Sequence, residues 1–415
     1  MARVLYINHY AGSPEMGMEF RPYYMAREWQ RQGHEVRIVA STFSHLRSRN
    51  PSAPGEEVID GITYDWIKTR PYEGNGGGRI LNMLTFVAGL YRRANRYARE
   101  FRPDAVIASS TYPLDIFPAH RIARKSGARL IFEVHDLWPL SPMELGQMSR
   151  LHPFIVTMQQ GEDYACKHAD VVVSMLPKAD EHLVTRGMSA SKFVYVPNGA
   201  VLEDWDLDGA PPLPAEHAAA LARYKHEKRF VVMYAGAHGL LNNMALVLEA
   251  AQRLTDTSVL FCLVGQGPEK ASLQNRAAEL HLSNVDFLPA VPKTVVPRLL
   301  DGADALFLSF APQPLFRFGV SPNKLLDYMM AGKPIIAAMR AGNDPIADHA
   351  LGASVAPDDP DALATAIRAL AAAPELERRR MGERGQKLAR EQYDYGPLAR
   401  HFADQFGGRR ARGAT

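Results

Sequence analysis

Short runs of β-branched and aromatic residues recur along the first 196 residues, with helical patterns between them. The runs are VLYI from Val4, EVRIVAS from Glu35, DAVIASS from Asp104, ARLIFEVH from Ala128, DVVVSM from Asp170 and FVYVP from Phe193. Apolar residues at helical spacing fill 18–32, 79–101, 118–126 and 154–168. This alternation predicts βαβ units, and the continuously apolar strands predict a parallel sheet covered on both faces.

The pattern stops at 197–217, a stretch rich in Pro, Gly and acidic residues, and then begins again. The second set of strands is RFVVMYAG from Arg229, SVLFCLVG from Ser258, NVDFLPA from Asn284, ADALFLSF from Ala303, KPIIAA from Lys333 and GASV from Gly352. We therefore predict two Rossmann-like, doubly wound α/β domains, 1–197 and 198–392, that face each other across a cleft. Ligands of such sheets bind at the carboxyl ends of the strands.

Composition narrows the class of protein. A chain of 415 residues with 47% hydrophobic and 22% charged residues is typical of a folded, two-domain protein. Its net charge of +3 is too small to indicate a nucleic-acid partner. Cys166 and Cys262 lack metal-ligand spacing, so we expect neither a disulfide framework nor a structural zinc. With no signal-peptide pattern at the N-terminus, a cytoplasmic location is expected.

The loop after the first strand, NHYAGSPEMGMEFR, contains Gly12 and Gly17 at P-loop spacing. A P-loop continues with Lys and then Ser or Thr, but Met18 and Glu19 stand here, so a phosphate-binding P-loop is excluded. The interpretations left are a loop that closes over a substrate and a plain turn from strand to helix.

LVGQGPEKASL follows a strand of the second domain with Gly265 and Gly267, in partial agreement with a dinucleotide fingerprint. Lys270 replaces the third glycine, and no acidic residue follows at the expected strand end, so we set NAD aside. Two interpretations of the glycines remain: close approach to a ligand, or to a neighbouring helix.

FEVHDLWPLSP puts His135 and Asp136 at the end of a first-domain strand, next to Glu133 and Trp138. A lone His is more often structural than catalytic, but this edge of the sheet is where ligands bind. We expect His135 to donate to a sugar hydroxyl or a developing anion, and Asp136 to orient the imidazole or accept a hydroxyl proton.

GVSPNKLLDYMMAGKPII, residues 319–336, predicts a helix at about 322–331, with Ser321 as N-cap, Pro322 as first helical residue and Gly332 past the end. Lys324 and the free N–H groups of the first turn form a candidate anion site, with Asp327 farther along the helix. This arrangement suits a nucleotide, with phosphates at the helix start and ribose hydroxyls at Asp327. The alternative is a capped surface helix with a solvated Asp.

The helix predicted at 79–102 has an apolar half followed by arginines. LNMLTFVAGLY, 81–91, is too short to span a bilayer. By default the arginines form a solvated basic rim, and the alternative is contact with anionic lipid or a lipid-linked diphosphate. These arginines are Arg92, Arg93, Arg96, Arg99 and Arg102.

Taken together, the motifs resemble family 4 glycosyltransferases of GT-B architecture. They are the Gly12 loop, EVHDLWP, VPNGA at 196–200, YAGAHG at 234–239, LVGQGPE and SPNKLLDYMMAGKPII, in the family's order. The closer resemblance is to bacterial enzymes that extend lipid-linked O-antigen or exopolysaccharide repeat units, including N-acetylfucosamine transferases.

The resemblance implies retaining, metal-independent transfer from a nucleoside-diphosphate sugar to a glycan or undecaprenyl-diphosphate-linked acceptor. The donor would be a UDP-sugar, such as an N-acetylated hexosamine or deoxyhexosamine, with no other cofactor. The enzyme would be cytoplasmic or peripheral on the inner face of the membrane. A final helix within 393–407, at about 396–406, would cross back to the first domain, followed by a basic tail at 408–415.

The resemblance also assigns side chains to each substrate. His135 and Asp136 would be catalytic. The donor set is Gly236, His238, Gly239, Gly265, Val291, Arg317, Gly319, Ser321, Pro322, Asn323, Lys324 and Asp327. The acceptor set is Tyr10, Gly12, Gly17, Glu19 and Arg21.

Two departures from the family pattern concern the donor. Members commonly carry two Glu seven residues apart, for the donor sugar and the ribose, where this chain has Gly319 and Asp327. Members also often carry Arg and Lys in the loop that reads GAHGLLNNM here. We expect backbone N–H groups near Gly239, the helix start at Ser321, and Lys324 or Arg317 to replace them.

No D-x-D motif lies where a metal-dependent enzyme would place one, because Asp206 and Asp208 fall in the linker. Two other functions stay open. A sugar-nucleotide epimerase of the same architecture would need no acceptor, and a non-catalytic partner would bind a nucleotide-sugar or lipid without transfer.

Overall fold

The computed structural model describes residues 1–17, 20–74 and 76–407, so Glu19 and the predicted tail lie outside the described residues. The chain divides into two compact units. Unit 1 holds Met1–Asn198 together with the segment from Tyr395 onward, and unit 2 holds Gly199–Asp394. Each unit is an α/β domain built on a largely parallel sheet, which confirms the predicted fold class.

Unit 1 contains an eight-stranded sheet in the order β3-β4-β2-β1-β5-β6-β7-β8. Every neighbouring pair is parallel except β3 and β4. The strands are β1 (Arg3–Ile7), β2 (Glu35–Ser41), β3 (Gly55–Ile59), β4 (Ile62–Ile67), β5 (Ala105–Ala108), β6 (Arg129–Val134), β7 (Val171–Ser174) and β8 (Phe193–Tyr195). Because β2 and β5 flank β1 on opposite sides, the chain reverses its winding direction there, and this is the end of the sheet where a ligand is expected.

The helices of unit 1 cover this sheet. They include α1 (Arg21–Arg31), α2 (Gly77–Arg96), α3 (Ile116–Ser126), α4 (Leu140–Glu144), α5 (Pro153–His168) and α6 (Ala179–Thr185). After α2 the helix continues as a π-helical turn, Tyr97–Phe101. This turn ends at Arg102, whose φ is 51°. The strands β1, β5, β6 and β7 are almost entirely buried, as expected for a sheet with helices on both faces.

The hairpin of β3 and β4 was not predicted from the sequence. A two-residue turn joins the strands, with Ile59 opposite Ile62. Asp60 and Gly61 form it with φ of 50° and 81°. An Asp-Gly pair between apolar runs is the usual signal for this turn, so the hairpin was readable from residues 55–67.

Unit 2 contains a six-stranded, fully parallel sheet in the order β11-β10-β9-β12-β13-β14. The strands are β9 (Phe230–Ala235), β10 (Val259–Val264), β11 (Val285–Leu288), β12 (Ala305–Ser309), β13 (Ile335–Ala338) and β14 (Gly352–Val355). The winding reverses between β9 and β12, which marks the carboxyl end of β9 as the expected ligand position.

The helices of unit 2 pack on both faces of its sheet, where two separate groups of buried residues form the core. They include α7 (Ala215–His226), α8 (Ala245–Gln252), α9 (Lys270–Glu279), α10 (Val296–Asp301), α11 (Asn323–Met330), α12 (Pro345–Asp348), α13 (Pro360–Ala372) and α14 (Glu375–Gln392).

The last helix, α15 (Tyr395–Ala403), belongs to unit 1 and packs on α1. Trp29 of α1 is fully buried. Its indole Nε1 donates to the carbonyl of Ala399 at 2.9 Å, and its ring meets Phe402 at 5.1 Å between centroids. This aromatic contact fixes α15 to α1 within unit 1.

Candidate functional site

A cavity of about 270 Å³ opens in unit 2 at the carboxyl ends of β9, β10 and β11. It is lined by residues 235–237, 264–266, 290–291, 296 and 299, and by Lys324, Asp327 and Tyr328 of α11. The cavity brings together five of the predicted donor residues from separate loops: Gly236, Gly265, Val291, Lys324 and Asp327. It also lies where an open α/β sheet is expected to hold a ligand.

The glycines of LVGQGPE pack against the loop that follows β9. A Cβ on Gly265 would lie 1.9 Å from the carbonyl oxygen of Gly236, and one on Gly267 would lie 2.3 Å from that of His238. The close approach is therefore to a neighbouring loop, not to a helix. Lys270 donates to the carbonyls of Gly265 and Leu288, at 2.8 and 3.0 Å, and so ties the ends of β10 and β11 together.

Lys324 supplies an ammonium group at the cavity wall. Its Nζ donates to Tyr234 Oη and Asn242 Oδ1, both at 2.8 Å. Burial lowers the pKa of Lys324 to about 8, so the group is mostly charged at neutral pH. Only 3.2 Å separates Nζ from the position of a Cβ on Gly236, so a side chain at 236 would crowd the ammonium. An anion held against the 236–237 loop would therefore meet this charge.

Asp327 lies one turn farther along α11, and its side chain is 22% exposed. Lys293 Nζ approaches its Oδ1 at 3.3 Å. Burial raises the pKa of Asp327, and the neighbouring Lys293 ammonium opposes this effect. The sequence did not identify Lys293, because it lies in a short turn far along the chain from α11 and carries no motif.

The start of α11 differs from the prediction. The helix begins at Asn323, Pro322 occupies the cap position, and no side chain among the described residues caps the first turn, so the assignment of Ser321 as N-cap was wrong. The preceding loop is held instead by Asn343, which accepts from the N–H of Val320 and donates to its carbonyl. Gly332 ends the helix with φ of 66°, as expected.

Gly319 adopts φ of 104°, a backbone conformation that favours glycine. Gly342 packs closely on it, since a Cβ on Gly342 would lie 2.9 Å from the backbone nitrogen of Gly319. The local backbone thus explains why no carboxylate side chain stands at this position. A ligand could be contacted here only through the main chain.

The other predicted donor residues do not line the cavity. Arg317 is exposed and stacks over Phe318 at 4.2 Å, and Asn323 is also exposed. His238 is fully buried behind the loop, where desolvation, with Lys270 and Lys324 next, lowers its pKa to about 4.

The backbone of this loop is partly used within the fold. Gly236 and His238 donate their N–H groups to Val264 and Gln266. Backbone contacts to a ligand in the loop would therefore come from Ala237 or Gly239.

In unit 1, His135 is oriented by Glu133 and Ser109. Ser109 Oγ donates to Glu133 Oε2 at 2.6 Å and lies 2.8 Å from His135 Nε2. Since the hydroxyl proton is directed to the carboxylate, Ser109 accepts from His135, and Nε2 carries a proton. Nδ1 is the ring nitrogen left for contact with a ligand such as a sugar hydroxyl.

Glu133 is the centre of a buried polar network. Its Oε1 accepts from Arg21 Nε at 2.9 Å, and its Oε2 accepts from Tyr6 Oη at 2.6 Å. Desolvation would raise the pKa of Glu133, but Arg21 and His135 outweigh it and hold the carboxyl well below its usual range. Glu133 therefore remains charged at neutral pH and fixes the imidazole.

Arg21 is only 4% exposed, and its remaining nitrogens donate to the carbonyls of Pro197 and Val196. All of its guanidinium nitrogens are used within the domain. We therefore correct the expectation of acceptor contact: Arg21 supports Glu133.

Asp136 holds its own loop. Its Oδ1 accepts from the N–H of Leu137 and from Ser141 Oγ, and its Oδ2 accepts from the Trp138 indole at 3.2 Å. Burial raises the pKa of Asp136. The expectation that Asp136 orients His135 was wrong, since Glu133 and Ser109 do so. Asp136 instead fixes the chain that follows the imidazole.

The glycine loop after β1 lies at the carboxyl edge of the same sheet. The carbonyl of Gly12 accepts from Tyr64 Oη at 2.8 Å, and Gly17 has φ of 78°. Tyr10 is buried against His9, with ring centroids 4.5 Å apart. This loop is therefore integrated into the domain up to Gly17, and Glu19 lies beyond the part that the structure describes.

The surface of α2 is apolar at its first half. Leu81 and Leu84 there are 49% and 47% exposed, and Tyr91 in the second half is 44% exposed. Farther on, Arg93 pairs with Asp65 and Arg96 with Glu56, each at 2.5 Å, so the predicted arginine rim is partly neutralised. Within residues 1–17, 20–74 and 76–407, no helix is long and apolar enough to cross a membrane.

Family models match most of the chain. Residues 16–199 match the glycosyl transferase 4-like domain, and residues 221–388 match glycosyl transferases group 1. The first match ends one residue past the boundary between the two structural units, which lies between Asn198 and Gly199.

Two curated relatives match at 24% identity. The putative colanic acid biosynthesis glycosyl transferase WcaI of Escherichia coli matches over 299 residues, 67% of this chain and 69% of the relative. The probable glycosyltransferase WbjE of Pseudomonas aeruginosa matches over 298 residues, 70% of each chain.

Solved structures share the fold at low identity. HepE from Anabaena, in complex with UDP and glucose, aligns with a TM-score of 0.66 at 15% identity and covers 97% of this chain and 99% of its own. WaaG, a glycosyltransferase involved in lipopolysaccharide biosynthesis, aligns with a TM-score of 0.66 at 16% identity and covers 98% and 100%. The fold and the cavity thus define a two-domain α/β protein of GT-B architecture. The chain belongs to the family 4 glycosyltransferases.

Proposed function

We propose that this glycosyltransferase moves a sugar from a UDP-sugar to a glycan acceptor carried on a lipid diphosphate, in the cytoplasm, with retention of anomeric configuration. The observation that carries the proposal is the unit 2 cavity, which combines a charged Lys324, the half-buried Asp327 and the backbone of the glycine loops. This set suits a diphosphate at Lys324, ribose hydroxyls at Asp327, and a base between the 265–266 and 290–291 segments.

The names of similar proteins support a polysaccharide as the product of the reaction. WcaI is described as a colanic acid biosynthesis enzyme and WaaG as a lipopolysaccharide enzyme. HepE binds UDP and glucose in its crystal structure. These names favour polysaccharide synthesis with a uridine nucleotide as donor carrier.

In the proposed reaction, the acceptor oxygen forms its bond to C1 on the same face from which the diphosphate oxygen leaves. The acceptor proton passes to that leaving oxygen, so UDP and the extended glycan are the products. Lys324 would stabilise the negative charge that grows on the diphosphate, a role that in other enzymes falls to a metal ion. We therefore propose that no metal is required.

His135 would contact the acceptor or the donor sugar. Its Nδ1 has no hydrogen-bond partner among the described residues, and the side chain is 11% exposed. A ring nitrogen at a strand end suits contact with a sugar hydroxyl, which can both donate and accept. Asp136 would act by holding the 136–141 loop in position beside it.

The exposed α2 surface supports a lipid-linked acceptor and peripheral membrane contact. Leu81 and Leu84 would enter the interface, and Arg92, which is also exposed, would face anionic headgroups. Flotation with anionic liposomes tests this contact. Replacing both leucines by Glu is expected to abolish flotation. Leu376→Glu, which changes a leucine 60% exposed on unit 2, is expected to leave flotation intact.

The central test is a thermal-shift panel of UDP, GDP, dTDP and CMP and their sugars, because a bound ligand stabilises the fold. UDP and one of its sugars are expected to raise Tm, and Asp327→Asn is expected to abolish the shift, while the exposed Asp208→Asn does not. No shift with any nucleotide would refute the proposal. Release of UDP that depends on an acceptor separates transfer from epimerisation.

A further inference from the structure

Lys293 forms an ion pair with Asp327 from a different element of unit 2. It begins the short turn Lys293–Val295, which follows Pro292 and precedes α10. Its Nζ lies 3.3 Å from Asp327 Oδ1, while Oδ2 has no hydrogen-bond partner among the described residues. The lysine side chain is 41% exposed, so it reaches the carboxylate from the solvent side of the cavity.

Lys293 is the group that orients the Asp327 carboxylate, because the neighbouring side chains of α10 and α11 either donate elsewhere or are apolar. On α11, Lys324 directs its ammonium to Tyr234 and Asn242. The α10 residues that line the cavity, Val296 and Leu299, are both apolar. Neither helix therefore supplies a second donor that would turn the carboxylate.

We propose that Lys293 is a positioning residue that limits Asp327 to a single ribose hydroxyl. A free carboxylate can accept from both adjacent hydroxyls of a ribose, one on each oxygen. Lys293 occupies one acceptor site of Oδ1 and holds the carboxylate in one orientation, so Oδ2 is the oxygen left fully open to the nucleotide. This inference rests on the proposed nucleotide site and specifies which part of the donor is recognised there.

The consequence is a nucleotide site that recognises one ribose hydroxyl and tolerates the loss of the other. A donor nucleotide that lacks the unrecognised hydroxyl would bind nearly as well as its ribose counterpart. Because the aspartate side chain is one methylene shorter than glutamate, it has less freedom to turn away from Lys293 and accept both hydroxyls.

The test compares the Kd values of UDP, 2′-deoxy-UDP and 3′-deoxy-UDP by calorimetry. In the native chain, one analogue is expected to bind about tenfold more weakly than UDP, and the other within about threefold. Lys293→Met frees Oδ1, so both analogues are expected to lose at least about fivefold relative to UDP. Lys293→Arg, which keeps the ion pair, is expected to restore the native pattern.

Lys225→Met changes an exposed lysine of α7 in the same domain and controls for loss of charge alone; it is expected to keep the native pattern. Equal losses for both analogues in the native chain would overturn the proposal, as would a pattern that Lys293→Met leaves unchanged. Failure of UDP itself to bind would refute the proposed function, a result distinct from either of these.

Discussion

Replacing Lys324 by methionine removes the ammonium from the donor cavity and keeps most of the side chain's volume. The native Nζ donates to Tyr234 and Asn242, both uncharged, so its charge is available to an anion in the cavity. A hydrogen bond to a charged group contributes about 1.5–3 kcal/mol. The variant is therefore expected to bind UDP about 10- to 100-fold more weakly. Uridine, which lacks the diphosphate, is expected to change by less than about twofold.

Lys324→Met is expected to weaken UDP binding, but it is not expected to destabilise the ligand-free protein. Because burial lowers the pKa of Lys324 to about 8, keeping the ammonium charged in the fold costs up to about 3 kcal/mol at neutral pH. The folded-state pKa lies below the unfolded one, so this cost is fully present below pH 8 and is relieved as the pH rises toward about 10.4. At pH 7 the methionine variant is expected to unfold at the same temperature as the native chain or higher.

Calorimetry with UDP and with uridine, at pH 7.0 and 8.5, measures both effects. The native affinity for UDP is expected to fall about three- to fourfold between these pH values as the ammonium loses its proton, and the variant is expected to show no such fall. Equal losses for uridine and UDP would refute the assignment of Lys324 to the diphosphate. A clearly lower Tm for the ligand-free variant would show that the ammonium stabilises the fold instead.

Three other substitutions test the residues that hold the His135 site and the donor cavity in place. Glu133→Gln leaves the buried guanidinium of Arg21 without a counter-charge and is expected to cost about 3–5 kcal/mol in urea unfolding at pH 7. The difference from the native chain is expected to shrink below pH 4, and a constant difference would contradict the ion-pair account. Gly265→Ala would displace the Gly236 carbonyl and is expected to weaken UDP binding more than tenfold, whereas Gly77→Ala, with open space around it, is expected to have no effect on calorimetric affinity. Gly319→Glu is expected to lower stability by about 1–2 kcal/mol without gaining a sugar contact; a higher kcat with any donor would argue otherwise.

The sequence predicted the strands well because their signal is local. A parallel strand buried on both faces is a continuous apolar run, and β1, β5, β9 and β10 show such runs almost without interruption. The β3–β4 hairpin was missed although its Asp-Gly turn is also a local signal. The start of α11 was placed one residue early, because Ser-Pro is typical of a cap, but the structure holds that loop through Asn343 instead.

The two sites were predicted less completely than the strands. Strand ends and glycines identified which segments would meet, and five of the predicted donor residues do line one cavity. Partners of individual side chains were not predictable, because Lys293 and Asp327, or Arg21 and Glu133, are far apart in the chain. Such pairs depend on how helices pack over the sheet, and no short-range pattern encodes that packing.

By itself, then, the sequence determined the two α/β domains and the strand edges where ligands are expected, because hydrophobic periodicity and glycine placement act over a few residues. Tertiary structure alone decided what each polar side chain does. It buried Arg21 as the counter-ion of Glu133, directed Asp136 to its own loop, and brought Lys293 to Asp327. Burying charge is favourable only with a matched partner, and the fold supplies each partner from a distant segment.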